Sequence, residues 1–140
     1  MFKNDYKMFD RARSVALAST FYKTRVGCVA VYHGTVIAVG CNAEKTHPTQ
    51  KMYNKYREQN QDAAFIPKIH AEIACLNALS RMNIDQSKVR LYIYRVRKDG
   101  TRGLSRPCPS CMAAIRAFGI KQIFYSTNDG YASEEIERAA

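Results

Sequence analysis

A chain of 140 residues, 46% hydrophobic and 24% charged, is long enough for one core, which excludes a disordered polyelectrolyte. Its 22 Lys and Arg against 12 Asp and Glu give a formal charge of +10, which favours anionic partners such as nucleotides or single-stranded nucleic acid over a neutral surface role. No apolar run approaches membrane-spanning length and "MFKNDYKMF" lacks the shape of a signal peptide, so no membrane partner is expected and the cytoplasm is the default location.

The chain opens with a helix predicted from about Tyr6 to Ser19, capped by Asp5, with Phe9, Ala12 and Ala16 on one stripe. "VGCVAVY" (Val26 to Tyr32), His33-Gly34 and "TVIAVGC" (Thr35 to Cys41) read as a hairpin. Both strands are nearly continuous in apolar residues, which predicts a sheet covered on both faces. Asn42 to Ile66 is polar and long, punctuated by Pro48 and closed by Pro67, the kind of stretch that carries function in a compact domain. An apolar helix is predicted from His70 to about Met82, then a strand over "VRLYIYRV", Val89 to Val96. "RKDGTRGLSR" is a glycine-punctuated basic loop, and Arg90, Arg95, Arg97, Lys98, Arg102 and Arg106 cluster here against Asp99 alone. "PCPSCMAAIRAFG" is a helix that Pro107 and Pro109 help to start and Gly119 can end. "KQIFYST" is a strand, "NDG" a turn, and "YASEEIER" fits an antiparallel return strand or a short tail helix, with the strand preferred. The order α-β-β-α-β-α-β, with that last strand, is an α/β fold: a single mixed sheet sandwiched by helices, in one domain over residues 1–140.

Five cysteines, Cys28, Cys41, Cys75, Cys108 and Cys111, are an odd number and argue against a disulfide framework. Cys108 and Cys111 stand i, i+3 at a helix start, on one face, where the helix dipole favours thiolates by ~0.3–1 kcal/mol each. His70 opens the other helix. Two helix mouths facing each other present one imidazole and two thiolates to a single ion, and three protein ligands leave a fourth tetrahedral position for water, the mark of a catalytic zinc. Glu72 stands two residues after His70. In a regular helix the two side chains would point nearly opposite ways, so His70 is expected at the very edge of the first turn. A carboxylate beside that water can take its proton and return it elsewhere. Alone, "HAE" and a single CxxC are weak to moderate signals. Together, each opening a helix in an α/β chain, they are a strong one; H-x-E with P-C-x-x-C is a signature of zinc nucleobase deaminases.

From "VGCVAVYHGTVIAVGCN" through "IHAEIACLNAL" to "RPCPSCMAAIRAFGIKQIFYS", the sequence resembles the cytidine/deoxycytidylate deaminase superfamily, in particular its small phage and microbial members. The resemblance implies a three-layer deaminase fold. It implies that His70, Cys108 and Cys111 hold one Zn2+ per chain with a bound water or hydroxide, and that Glu72 is the catalytic proton shuttle. The reaction it implies is attack at C4 of cytosine and loss of ammonia, leaving uracil. It also implies that Asn42 hydrogen-bonds the sugar and that the backbone amide of Ala71 meets the base. The basic loop leads straight into the two cysteines, so part of its charge is expected at the substrate entrance, recruiting phosphate, with Arg106 the candidate contact although several relatives carry Glu or a small residue there. The glycine-rich basic excursion before the cysteines departs from many relatives and bears on the substrate rather than on the reaction. Cytidylate or deoxycytidylate and single-stranded nucleic acid are both open as substrates. Adenine in nucleic acid is an alternative base, and a non-enzymatic zinc-stabilised nucleic-acid-binding module, with Cys75 as a fourth ligand, is the rival class. Self-association is left open.

His47 in "EKTHPTQ" and Tyr53 and Tyr56, beside Lys51, Lys55 and Arg57, are further candidates for substrate contact or base stacking, against their plainer roles as packed loop residues. Tyr92 and Tyr94 share one strand face and are expected in the core, and Cys75 as a buried thiol.

Overall fold

The computed structural model describes residues 1–21, 23–43 and 69–137; His47, Tyr53 and Tyr56 lie outside the described residues. The elements are α1 (Lys3–Leu17), β1 (Thr24–Tyr32), β2 (Thr35–Cys41), α2 (Ala71–Leu79), a short 3-10 turn (Gln86–Lys88), β3 (Val89–Arg97), β4 (Arg102–Gly103), α3 (Pro109–Phe118), β5 (Gln122–Ser126) and β6 (Tyr131–Glu135). The sheet order is β2-β1-β3-β5-β6, with β4 paired to β3. Among the described residues only β3 and β5 run parallel; the other pairs are antiparallel. The tail is therefore the return strand and not a helix. The two-residue strand β4 lies inside the stretch expected to be loop.

Helix α1 starts earlier than its Asp5 signal indicates, because Asp5 caps from inside. It is the third helical residue and its carboxylate accepts the Phe2 N–H at 2.9 Å. That is the reciprocal half of a capping box. Its other oxygen accepts the Tyr92 hydroxyl at 2.5 Å, which ties α1 to the centre of the sheet. The hairpin turn uses positive φ at both His33 (50°) and Gly34 (80°), the pairing that a two-residue turn between twisted strands requires.

Helices cover both faces. On one, Phe9, Ala12 and Ala16 of α1 pack on Val29, Val31, Tyr92, Tyr94, Val96 and Phe124. Phe9 meets Tyr92 edge-on at 5.4 Å, and Tyr92 stacks on Phe124 at 4.5 Å. On the other face, Ile73, Leu76 and Leu79 of α2 and Met112 and Ile115 of α3 pack on Cys28, Ala30, Leu91, Ile93 and Ile123. Each fully buried Val, Leu, Ile, Phe or Met among them contributes roughly 1.5–3 kcal/mol. β1 is buried on both sides, as its apolar run predicts, and so is most of β3. β2, an edge strand among the described residues, is not: Val39 is 48% exposed.

Two glycines set the distance of the layers. A Cβ at Gly27 would stand 2.3 Å from the Ala12 carbonyl oxygen in α1. One at Gly40 would stand 2.5 Å from the Cys75 nitrogen and 2.7 Å from the Ala71 oxygen in α2. Gly40 thus lets the first turn of α2 lie directly on the sheet, and that turn carries the site.

Candidate active site

His70 is the N-cap of α2, with extended backbone angles of −88° and 157°. Its side chain does not follow the helical rotation, which is how His70 and Glu72 reach one place although they are two residues apart. Its carbonyl already accepts the Ala74 N–H at 3.0 Å, fastening it to the helix. Cys108 is likewise the N-cap of α3, with angles of −69° and 166° and Pro109 at the first helical position. Pro109 fixes φ there and gives up an N–H that has no helical partner at that position. Cys111 follows one turn on.

The two helix mouths converge. His70 Nδ1 is 3.3 Å from Cys111 Sγ and 3.6 Å from Cys108 Sγ. All three ligand atoms lie within 4.8 Å of one another. With Zn–S near 2.3 Å and Zn–N near 2.0 Å, tetrahedral geometry puts N and S about 3.6 Å apart. The donor set and its spacing therefore fit a zinc ion. Among the described residues this is the group of His, Cys, Asp and Glu side chains placed to hold a metal, and Cys75 is not part of it. Cys28 on β1 and Cys75 on α2 are buried free thiols, and burial, then the neighbouring Cys75, pushes the Cys28 thiol well up.

The electrostatics divide the two cysteines. Hydrogen bonding from Cys111 first, then from His70 and Ser110, pulls the Cys108 thiol down to about 3 against partial burial. The same contact with Cys108, together with full burial and the nearby Glu72, pushes the Cys111 thiol up. Glu72 is 5% exposed. Burial raises its carboxyl above the ordinary range, against the pull of His70, and it reaches Cys111. A carboxyl so placed, dry and beside the ligand cluster, is suited to hold and return a proton.

The remaining expected site residues are more occupied than their sequence signals suggest. The Asn42 side chain closes the end of β2 onto β1: its Oδ1 accepts the Val26 N–H at 2.9 Å and its Nδ2 donates to the Thr24 carbonyl at 2.7 Å. Ala71 is buried as the first residue of α2. Arg106 is exposed, and its guanidinium makes two bonds to Glu134, at 2.7 and 3.1 Å. Arg95, Arg97 and Arg102 are tied to the β5–β6 hairpin or to the segment itself. Arg97 donates to Asn128. Arg102 donates to the Thr127 carbonyl at 3.0 Å and lies over the Tyr131 ring at 4.8 Å. Arg95 donates to the Leu104 carbonyl at 3.4 Å.

Sequence reasoning passed over three serines. Ser105 and Ser126 are buried where the β3–β5 ladder ends. The Ser126 hydroxyl donates to the Gly103 carbonyl at 2.7 Å and accepts the Arg95 N–H at 3.1 Å, while the Ser105 hydroxyl bonds the Ile93 carbonyl at 2.9 Å. This network fixes the chain just ahead of Cys108. Ser110, inside "PCPSC", places its hydroxyl 3.0 Å from Cys108 Sγ. Its signal is visible only once the motif is read as a helix start.

Residues 2–127 match the family described as "Cytidine and deoxycytidylate deaminase zinc-binding region". The chain belongs to this family. The dCMP deaminase of cyanophage S-TIM5 has the same fold, with a TM-score of 0.63 at 18% identity, over 89% of this chain and 84% of that one. Cytidine deaminase from Burkholderia pseudomallei gives 0.63 at 14% identity over 97% and 94%, and that from Mycobacterium leprae 0.54 at 17% over 91% and 92%. None of the curated proteins matches the sequence. Membership makes the chain a hydrolytic enzyme of zinc-dependent cytosine deamination, and the non-enzymatic module is set aside. No helix among the described residues is long and apolar enough to cross a membrane.

Proposed function

We propose that this single-domain enzyme deaminates the cytosine of a free nucleotide, cytidylate or deoxycytidylate, to uracil with release of ammonia. The observation that carries the chemistry is the convergence of His70, Cys108 and Cys111 at tetrahedral spacing beside the buried carboxyl of Glu72. These three side chains would hold one zinc ion. Zinc there supplies Lewis acidity and a water nucleophile at neutral pH.

Glu72 accepts one proton from the attacking water and delivers it to N3 of the base, then takes the second from the hydroxyl now on C4 and passes it to the departing amine, so that ammonia leaves and C4 keeps the oxygen as a carbonyl. Its dry position keeps the proton from bulk solvent. The Ala71 backbone N–H, at the open mouth of α2, is placed to orient the base. An amide side chain has four hydrogen-bonding positions. β1 takes two of those on Asn42, and the others serve a sugar hydroxyl. Arg106 takes the phosphate in exchange for Glu134.

Two things support the nucleotide over the polymer. Arg97 and Arg102 of the basic excursion are engaged within the protein. The cyanophage enzyme of the same fold is a dCMP deaminase, seen in complex with dCMP and dUMP. A free nucleotide also suits a cytoplasmic enzyme. The net charge of +10 keeps single-stranded nucleic acid as the second reading.

Purified protein offered cytidine, CMP, dCMP, single-stranded DNA and RNA, with ammonia and product mass as readouts, tests this. Turnover of CMP or dCMP is expected. Turnover confined to the polymers overturns the nucleotide assignment, and none on any cytosine overturns the reaction.

A further inference from the structure

Ser110 is fully buried, and its hydroxyl stands 3.0 Å from Cys108 Sγ. We infer that Ser110 is a positioning residue of the metal centre: its hydroxyl donates to the Cys108 thiolate, fixes the direction of that sulfur and draws charge from it. The inference rests on reading His70, Cys108 and Cys111 as the zinc ligands.

The direction of the bond follows from the chemistry. Between a thiol and a hydroxyl either group can donate. A thiolate ligand can only accept, so the proton on the bond is then the serine's. Local structure makes the contact durable. Cys108 caps α3, Pro109 locks the first helical φ, and Ser110 is the second helical residue, from which a short side chain reaches back to the cap.

The consequence lies in charge. Two thiolates and a neutral imidazole cancel the charge of a divalent ion and weaken its pull on a fourth ligand. A hydrogen bond to one thiolate withdraws part of that donated charge. Outer partners of metal ligands act in this way, and losing one commonly costs 10-fold or more, roughly, in metal affinity or activity. The partner is on Cys108, the less buried of the two cysteines.

The test uses cobalt as a spectroscopic substitute for zinc in the full chain. In Ser110→Ala the thiolate-to-cobalt absorption band should move to longer wavelength, because a sulfur that has lost its donor holds its electrons less tightly. Ser110→Thr, which keeps the hydroxyl, should return it. In the zinc-loaded protein, alkylation of Cys108 by iodoacetamide, read by mass spectrometry, should be faster in Ser110→Ala than in wild type. The kcat/KM on the best substrate should fall about 10-fold and recover with threonine. Should the alanine variant fail to fold, Ser110→Cys, close in size and a weaker donor, should shift the band the same way by less. A folded, cobalt-loaded Ser110→Ala or Ser110→Cys with the wild-type band and wild-type alkylation rate overturns the role of Ser110 alone. Wild-type protein that takes up no cobalt overturns the metal centre and this inference with it.

Discussion

The role proposed for Glu72 makes the heaviest demand on any residue in the molecule, since one carboxyl would serve several proton transfers. Glu72→Ala and Glu72→Gln are both expected to keep the fold and the zinc, because neither removes a ligand. Activity should fall by at least ~10²–10⁴-fold, the contribution of general acid–base help. Metal content together with single-turnover rate is the measurement, and a near wild-type rate in either variant would remove the shuttle role. Residues of this kind were legible in the sequence because metal chemistry restricts both their type and their spacing. "HAE" and "PCPSC" announce a cluster before any fold is known, and the structure brings their side chains together. Arg106 was less legible. Its partner, Glu134, is 28 positions away on a strand whose return over β5 no local pattern dictates. Asn42 was half legible: its place at the end of a strand could be read, but not its bonds to Thr24 and Val26, which depend on the register of the β1–β2 pair.

The elements were legible where periodicity and punctuation agree. The stripe Phe9, Ala12, Ala16 is the buried face of α1, and Gly119 ends α3 with a φ of 83°. Helix α2 stops at Leu79 rather than near Met82: beyond Ser80 the backbone tightens, with the Arg81 N–H bonding the Ala78 carbonyl and the Met82 N–H the Leu79 carbonyl. β4 escaped notice because its two residues have no strand pattern; buried serines and the paired backbone of β3 hold them. Gly27 and Gly40 read only as small residues in apolar strands, yet each admits a helix onto the sheet. They give a matched pair of expectations. Gly40→Ala should cost about 1–3 kcal/mol by overpacking and also weaken zinc binding, since the Ala71 oxygen and Cys75 nitrogen it meets belong to the turn that carries His70 and Glu72. Gly27→Ala should cost a similar amount against α1 while leaving zinc affinity as it is, because α1 supplies no ligand. Denaturation midpoints and chelator competition on both variants check this, and equal zinc affinities would show that α2 is not held in place through Gly40.

Over the whole molecule the question is what the +10 charge does. Read along the chain, the run from Arg95 to Arg106 looks like a phosphate-recruiting surface. Folded, much of it is structural: Arg97 and Arg102 fasten the excursion to the β5–β6 turn, and Arg106 is paired with Glu134. Exposed ion pairs of that last kind are worth at most about 1 kcal/mol, so a substrate phosphate can displace Glu134 at little cost. Salt dependence separates the two substrates. At a slope of roughly 0.7 per phosphate, a fourfold rise in salt weakens one phosphate contact about 2.6-fold and six contacts about 300-fold. KM for dCMP is therefore expected to rise by only a small factor between low and moderate salt. In Glu134→Gln it should fall for dCMP and stay constant for deoxycytidine, since removing the competitor frees Arg106 only for a ligand that carries phosphate. The measurement is KM against salt for dCMP, deoxycytidine and a short single-stranded oligonucleotide, in wild type and Glu134→Gln. A steep slope with efficient turnover of the oligonucleotide would transfer the enzyme to nucleic acid. An unchanged nucleotide-to-nucleoside preference in Glu134→Gln would leave Arg106 as a brace between β6 and the segment leading to the metal-site cysteines.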